Sequence, residues 1–116
     1  MRMLVLVLVL AAAAGCGGQE PTARPDGLAV ARYTPAVPGG MDALLTGVVA
    51  AEDGCLVVRS GGQLWVPVFA TDDDRPFALA QGDSADLGGG EASSTEALDL
   101  PEACPTEALV WIVATP

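Results

Sequence analysis

Two glycine turns constrain the fold of this chain more than any other feature of its sequence. Asp53-Gly54 suits the positive φ angles of a tight hairpin turn, and Ser60-Gly61-Gly62-Gln63 makes a second turn. Between and beside these turns lie three short apolar runs, residues 44–51, 55–59 and 64–70. Short runs of this composition joined by such turns predict an antiparallel meander of three strands.

The second half of the chain predicts two more strands and a little helix. Residues 84–88 are expected to form a fourth strand, and residues 109–114 a fifth that is apolar enough to be buried on both faces. Ser93, with Glu96 three places on, has the form of a capping box. One or two helical turns are therefore predicted to follow Ser93.

The expected fold class is all-β. A flat sheet of five short strands would leave its edges exposed and half of its apolar side chains in water, and closing the sheet avoids both problems. We expect a small five-stranded, OB-like, partly open barrel with one short helical turn and one disulfide. An open small sandwich is the alternative. The compact β-barrel domain is assigned to residues 41–116.

The N-terminus has the layout of a secretory signal peptide. Arg2 precedes an apolar run over residues 4–14, which is too short to cross a hydrocarbon core that needs about 20 helical residues. The run ends in Ala13-Ala14-Gly15-Cys16, which resembles the lipobox of bacterial lipoproteins, with Ala13 where that family prefers Leu.

The lipobox resemblance implies the fate of this segment. Residues 1–15 would be a lipoprotein signal peptide that is cut away, and Cys16 would carry a diacylglyceryl group and an acylated amino terminus. The protein would then be lipid-anchored on the extracytoplasmic face of a cell membrane. The alternative is an ordinary signal peptide cut at an Ala-x-Ala step, which would leave Cys16 unmodified.

Residues 16–40 are interpreted as a lipidated N-terminus and a flexible linker, because prolines and paired glycines interrupt every apolar period there. Leu28, Val30 and Tyr33 are the exception. They either stay in the linker or dock on the domain as an extra strand, and the sequence leaves both open.

The cysteine count agrees with lipidation. The chain has three cysteines, and lipidation of Cys16 leaves Cys55 and Cys104 as an even pair in a compartment that permits disulfides. We predict a Cys55–Cys104 disulfide, with two buried free thiols as the alternative.

Composition excludes several kinds of chemistry. The chain has no histidine, so Ser-His-Asp and Cys-His nucleophiles and imidazole metal sites are ruled out. The chain has fifteen acidic and five basic residues, and its net charge of −10 would become −11 on removal of the signal peptide, which contains Arg2. Attraction to a nucleic-acid backbone is excluded at this charge.

Three groups of acidic residues are candidate sites. Asp72-Asp73-Asp74 is rich in oxygen ligands but lacks the ligand spacing of a calcium loop, and a solvated loop tip is the preferred interpretation. Glu52 with Asp53, and Asp83 with Asp86, are conceivable carboxylate pairs for glycoside hydrolysis, but nothing in their spacing selects them. We therefore predict no catalytic, cofactor-binding or metal-ligating residues.

Trp65 and Phe69 are weak candidates for a ligand face. They are an even number of positions apart on one predicted strand, so their side chains are expected on the same face. Aromatic side chains on the outside of an OB-like barrel bind ligands by stacking. In a chain with so few aromatic residues, burial in the core is favoured.

A series of glycine, cysteine and apolar motifs runs through the second half of the chain. They are Asp53-Gly54-Cys55-Leu56, Val66-Pro67-Val68-Phe69, Gly82-Asp83, Leu87-Gly88-Gly89-Gly90-Glu91, Cys104-Pro105 and Trp111-Ile112-Val113. In order and spacing they resemble a recurrent small secreted domain of uncharacterised bacterial proteins over most of residues 44–114. The resemblance implies a fold and carries no activity. The lack of Lys and Asn beside abundant Ala, Gly and Pro is typical of a GC-rich, for example actinobacterial, genome.

The expected function is that of a lipid-anchored cell-envelope protein, a non-catalytic binding or structural module. We expect a monomer without cofactor that meets the membrane through its lipid and binds an envelope protein, a glycan or a small molecule. The alternatives are an accessory or carboxylate-only enzyme of the envelope, and an inhibitor or immunity-type protein whose acidity complements a basic target.

Overall fold

The computed structural model describes residues 24–35 and 42–115. Its strands in chain order are β1 (Ala31–Tyr33), β2 (Ala43–Glu52), β3 (Cys55–Ser60), β4 (Gln63–Ala70), β5 (Ser84–Glu91), β6 (Leu98–Asp99) and β7 (Leu109–Val113). One 3-10 turn, Arg75–Phe77, lies in the β4–β5 loop. The bounds of the five longer strands differ from the predicted runs by a few residues at most.

Five strands close into a mixed β-barrel, which confirms the expected fold class. The strands follow one another around the barrel in the order β2, β3, β4, β7, β5 and back to β2. All neighbours in this ring are antiparallel except β4 and β7, which are parallel. The predicted β2–β3–β4 meander therefore forms one side of a closed barrel, and the open sandwich is wrong.

The two predicted turns connect the meander. Asp53 and Gly54 have φ angles of 53° and 89°, and Gly61 and Gly62 have φ angles of 58° and 79°. Two successive residues with positive φ give the backbone twist that suits a two-residue hairpin. Each turn thus fixes the register of the strands that it joins.

The barrel is filled by alternate side chains of its strands, and Trp111 is at the centre of this packing. The Trp111 ring meets the Trp65 ring edge to face with 5.5 Å between centroids. Its Nε1 donates a hydrogen bond to the Leu87 carbonyl oxygen at 3.1 Å, so the one polar atom of the side chain is satisfied. The other buried members of this core are Leu28, Val30, Leu45, Val49, Leu56, Val58, Phe69, Ala85, Leu87 and Val113.

Residues 28–33, called here the gap segment, complete the barrel wall. β3 and β4 pair with each other only near their connecting turn. Beyond that point Ala29 bridges to Cys55 on β3, while β1 pairs in parallel with residues 68–70 of β4. The sequence analysis assigned residues 24–35 to the linker, whereas the structure includes them in the packed unit, because Leu28 and Val30 enter the barrel core.

Residues 92–108, called here the covering segment, pack on the outer face of β3, β4 and β7. Cys104 in this segment forms the predicted disulfide with Cys55 at the start of β3, and their Cα atoms are 4.8 Å apart. Around the disulfide lies a second apolar cluster that includes buried Val57, Val66 and Val68. The disulfide therefore holds the covering segment on the barrel, and the free-thiol alternative is wrong.

The helical turns predicted after Ser93 are absent from the described covering segment. The Ser94 hydroxyl accepts a hydrogen bond from the Glu96 backbone N–H at 3.2 Å, and Leu98 and Asp99 then form β6 against β1. Leu98 packs on the second apolar cluster, and this contact with strand pairing outweighs the local capping signal. The only short helix in the described residues is the 3-10 turn, with Pro76 near its start.

We predict that adjacent glycines of β5 differ sharply in their tolerance of a methyl group. Gly89 has a φ of 149°, and a Cβ there would overlap the carbonyl oxygen of Ile112 on β7. Gly88 has no positive φ, and the nearest atom to its Cβ would be the Ala43 carbonyl oxygen at 3.9 Å. Gly89→Ala should lower the free energy of unfolding by about 3 kcal/mol, and Gly88→Ala should change it by less than about 1 kcal/mol. Urea unfolding of the two variants makes the comparison, and equal effects would contradict this β5–β7 packing.

We predict that the disulfide contributes a large share of the stability. It joins residues 49 positions apart, and closing a loop of that length in the unfolded chain corresponds to about 4 kcal/mol. Reductant should therefore lower the urea midpoint of the wild type strongly. The double variant Cys55→Ser/Cys104→Ser should start at the lower midpoint and respond to reductant no further. A wild-type midpoint that reductant leaves unchanged would refute the assignment of this stability to the disulfide.

Candidate functional site

The structure places the candidate residues of the sequence analysis mostly in structural roles. Cys16, the candidate lipidation site, lies outside the described residues. Cys55 and Cys104 form the disulfide. Phe69 is fully buried in the barrel, and Trp65 is half-buried against the core. Trp65 and Phe69 therefore form no outward ligand face.

Among the acidic candidates, the consecutive Asp72, Asp73 and Asp74 line one cleft, and Glu52, Asp53, Asp83 and Asp86 are not part of it. Asp73 is buried and holds Arg75, whereas Asp72 and Asp74 point into solvent. Glu52 accepts a hydrogen bond from the exposed Arg59 at 2.9 Å. The described part of the chain contains no group of three or more side chains that could hold a metal ion.

Three arginines anchor the β4–β5 loop, residues 71–83, to the rest of the molecule. Arg24 donates from Nη1 to the carbonyl oxygens of Pro76 and Leu79. Arg75 donates from Nη2 to the carbonyl oxygen of Ala114 at 2.7 Å. The loop has little regular structure of its own, so these guanidinium groups supply donors that its buried carbonyl groups need.

Asp26 and Asp73 orient two of these arginines. Both carboxylate oxygens of Asp26 accept from Arg24, at 2.9 and 2.7 Å, and these hydrogen bonds hold the pKa of Asp26 well below its ordinary value. Burial alone would raise the pKa of Asp73, but hydrogen bonds from the Arg75 side chain and backbone outweigh it, so this pKa is also lowered. The two carboxylates therefore stay ionised and are committed to structure.

Arg32 is the third anchor, and it differs from the other two. Its side chain is 95% buried, Nη1 donates to the carbonyl oxygens of Ala70 and Asp73 at 2.8 and 2.9 Å, and the guanidinium carbon lies 5.3 Å from the centroid of the Phe77 ring. Burial lowers the pKa of Arg32, and the charge of Asp73 opposes this change. Among the described residues no carboxylate lies within ion-pair distance of Arg32, and its buried Nε has no hydrogen-bond acceptor.

The use of arginine for anchoring leaves the outer surface strongly acidic. Arg59 is the one exposed cation in the described ranges, and it is paired with Glu52. Exposed carboxylates lie on several strands and loops without such a partner, for example Asp53, Asp86 and Glu107. Long-range attraction by this surface is therefore limited to cations and cationic partners.

The concave regions of the described residues include three with the volume of small-molecule sites, for which 300–1,000 Å³ is typical. One of about 300 Å³ is lined by Asp72, Asp73, Asp74, Arg75 and Thr115. The arginine cleft, of about 370 Å³, lies between the gap segment and β6 and is lined by Arg24, Leu28, Val30, Arg32, Asp99 and Pro101 among others. The apolar groove, of about 410 Å³, lies between the covering segment and the β4–β7 pair and is lined by Val66, Leu100, Cys104, Pro105, Ala108 and Val110 among others.

Comparison of the chain with protein-family models, curated proteins and solved structures finds no match. Within residues 24–35 and 42–115 no helix has the length and apolar character needed to cross a membrane. The functional argument therefore rests on the residues of this chain.

We predict that Asp73 stabilises the fold at neutral pH and loses this effect in acid. Its pKa is lower in the folded than in the unfolded chain, so its contribution is complete above the ordinary Asp pKa of about 3.9 and is lost as the pH falls through the folded pKa. Asp73→Asn should lower the free energy of unfolding by about 2 kcal/mol at pH 7. The difference from wild type should shrink as the pH falls below the ordinary Asp pKa and through the lowered pKa of Asp73.

The matched control for Asp73→Asn is Asp72→Asn, which removes the same charge from an exposed neighbour. It should change stability by less than about 0.5 kcal/mol at pH 7. Urea unfolding at several pH values makes both measurements. Equal losses in the two variants would refute the anchoring role of Asp73.

Proposed function

We propose that this protein is a bacterial lipoprotein, held on the extracytoplasmic face of a membrane by acyl chains on Cys16, whose barrel is a non-catalytic binding module. One observation carries the proposal. The chain has three cysteines, and the disulfide uses Cys55 and Cys104. Cys16 is therefore left without a partner in its own chain, in the motif that resembles a lipobox, and disulfides belong to the compartments in which lipoproteins mature.

Acylation of Cys16 would give a durable anchor. Each buried CH₂ contributes about 0.8 kcal/mol, so that one chain binds a membrane reversibly and two or three bind it firmly. Removal of residues 1–15 would make Cys16 the first residue, so that both its thiol and its new amino group could carry acyl chains.

The anchor would limit how far the barrel stands from the lipid. Eight peptide units separate Cys16 from Arg24, the first residue that the structure describes, and even a fully extended chain of that length spans at most about 28 Å. An acidic barrel that comes within a Debye length of about 8 Å of anionic headgroups is repelled by them. The arrangement therefore favours a barrel that stands off the membrane surface and presents its clefts to other molecules.

The packing of the barrel interior and the pairing of the carboxylates support a binding role over an enzymatic one. The barrel interior is filled by apolar side chains, while the arginine cleft and the apolar groove lie on its outside. Glu52 pairs with Arg59, and Asp83 accepts a hydrogen bond from the Ala80 backbone N–H at 2.8 Å. A carboxylate-only enzyme would need two free acids facing one cleft, whereas in the cleft lined by Asp72, Asp73 and Asp74 the Asp73 carboxylate is bound by Arg75.

A second candidate function is favoured by the surface charge. The acidic exterior, on which Arg59 is the one exposed cation of the described residues and is paired with Glu52, suits an inhibitor or immunity-type protein whose partner is basic. Both candidates place the barrel in the envelope as a monomer without cofactor, and they differ in the size and charge of what is bound.

We predict that the native protein carries its acyl chains on Cys16 and has lost residues 1–15. Intact-mass analysis of protein extracted from bacterial membranes should give a chain that begins at Cys16 with added diacylglyceryl mass. Cys16→Ser should abolish that mass and release the protein from the membrane fraction. The control Cys55→Ser/Cys104→Ser should keep the acyl mass, because lipidation depends on the leader. A wild-type product that retains residues before Cys16, or that lacks acyl groups, would contradict the proposal.

A further inference from the structure

The arginine cleft contains two opposite charges that face the same space without meeting. Arg32 of β1 and Asp99 of β6 are directly opposed in an antiparallel pair. Directly opposed residues project from the same face of their strands, with Cβ atoms about 5 Å apart. Both residues line the cleft, yet no ion pair within 4.0 Å joins them in the described structure.

Arg32 is held where it is by three contacts. Its Nη1 donates to the carbonyl oxygens of Ala70 and Asp73, and its guanidinium lies over the Phe77 ring. Turning toward Asp99 would break contacts that anchor the β4–β5 loop. The Nε donor therefore stays buried without an acceptor among the described residues, a costly arrangement for a charged group.

The other side chains of the cleft leave these two charges available. Arg24 also lines the cleft, but its guanidinium is already bound by Asp26 and by two loop carbonyl groups. Asp99 is exposed and has no cationic partner among the described residues. The remaining wall includes the apolar residues Leu28, Val30 and Pro101, of which Leu28 and Val30 are each only 9% exposed.

We propose that the arginine cleft binds a small zwitterion, namely a free α-amino acid with an aliphatic side chain. Its carboxylate lies against the Arg32 guanidinium, its ammonium group donates to Asp99, and its side chain packs on Pro101 beside Leu28 and Val30. The cleft of about 370 Å³ accommodates a molecule of this size. This inference deepens the proposed binding role by naming a ligand class, but it rests on the cleft and is independent of lipidation at Cys16.

The overall charge of the protein distinguishes a zwitterion from simpler ions. A net charge of −10 in the full chain repels a free anion before it reaches Arg32. A simple cation is attracted but would meet the buried positive charge of Arg32. A zwitterion carries no net charge and satisfies both groups at once.

Three probes with the same aliphatic group test the proposal on the full chain in detergent. L-leucine has both charges, 4-methylpentanoate has the carboxylate alone, and 3-methylbutylammonium has the ammonium alone. In ¹⁵N NMR titrations, leucine should shift the Arg32 Nε–H signal and the backbone signals of residues 28–32 and 98–101 in a saturable way. Each single-charge probe should bind at least about tenfold more weakly, because each loses one charge-assisted hydrogen bond.

A matched pair of variants separates the site from general electrostatics. Asp99→Asn should reduce leucine affinity about tenfold, toward that of 4-methylpentanoate, while Asp86→Asn, which removes an exposed charge from β5, should leave it unchanged. Neither substitution touches the core, so both variants should fold.

Three results would overturn the inference: no saturable shift with leucine, a single-charge probe that binds as tightly as leucine, or equal effects of Asp99→Asn and Asp86→Asn. None of these depends on whether Cys16 is acylated, so failure here is distinguishable from failure of the lipoprotein proposal.

Discussion

The Cys55–Cys104 disulfide links the covering segment to the barrel at the end of β3 where β3 and β4 no longer pair with each other. Cys55 begins β3, its backbone bridges to Ala29 of the gap segment, and its sulfur binds the covering segment. A barrel this small has few apolar side chains to hold additional segments, and proteins of this size commonly depend on a covalent link. The gap segment and the covering segment both attach at Cys55, so the arginine cleft between the gap segment and β6 depends on the geometry at this residue.

The distribution of charge follows from a shortage of cations. Arg24, Arg32 and Arg75 are turned inward to hold the β4–β5 loop, where their long side chains reach carbonyl groups that no strand satisfies. Among the described acidic residues only Asp73 is buried, and the others give the barrel a strongly negative surface. Arg32 is thereby buried with an Nε donor that has no acceptor among the described residues, and this makes a structural anchor a candidate ligand contact.

The sequence predicts the parts of the fold that depend on local chemistry. The Asp53-Gly54 turn and the cysteine pair are confirmed because turn torsions and cysteine parity are properties of short motifs and of counting. The helical turn after Ser93 is wrong because pairing of Leu98 with β1 outweighs a local capping signal. The docking of the gap segment was visible only as the alternation of Leu28 and Val30. The burial of Arg32 had no sequence signal, because its acceptors lie about 40 positions away and arginine is usually exposed.

The chemical state of the three cysteines tests the central claim most directly, because the fold and the proposed anchor divide them between two roles. Protein extracted from membranes under non-reducing conditions can be alkylated, digested and analysed by mass spectrometry. The account predicts one linked peptide pair that contains Cys55 and Cys104, and a separate N-terminal peptide in which Cys16 is blocked by acyl chains. A bridge that includes Cys16, or alkylated thiols at Cys55 and Cys104, would contradict it.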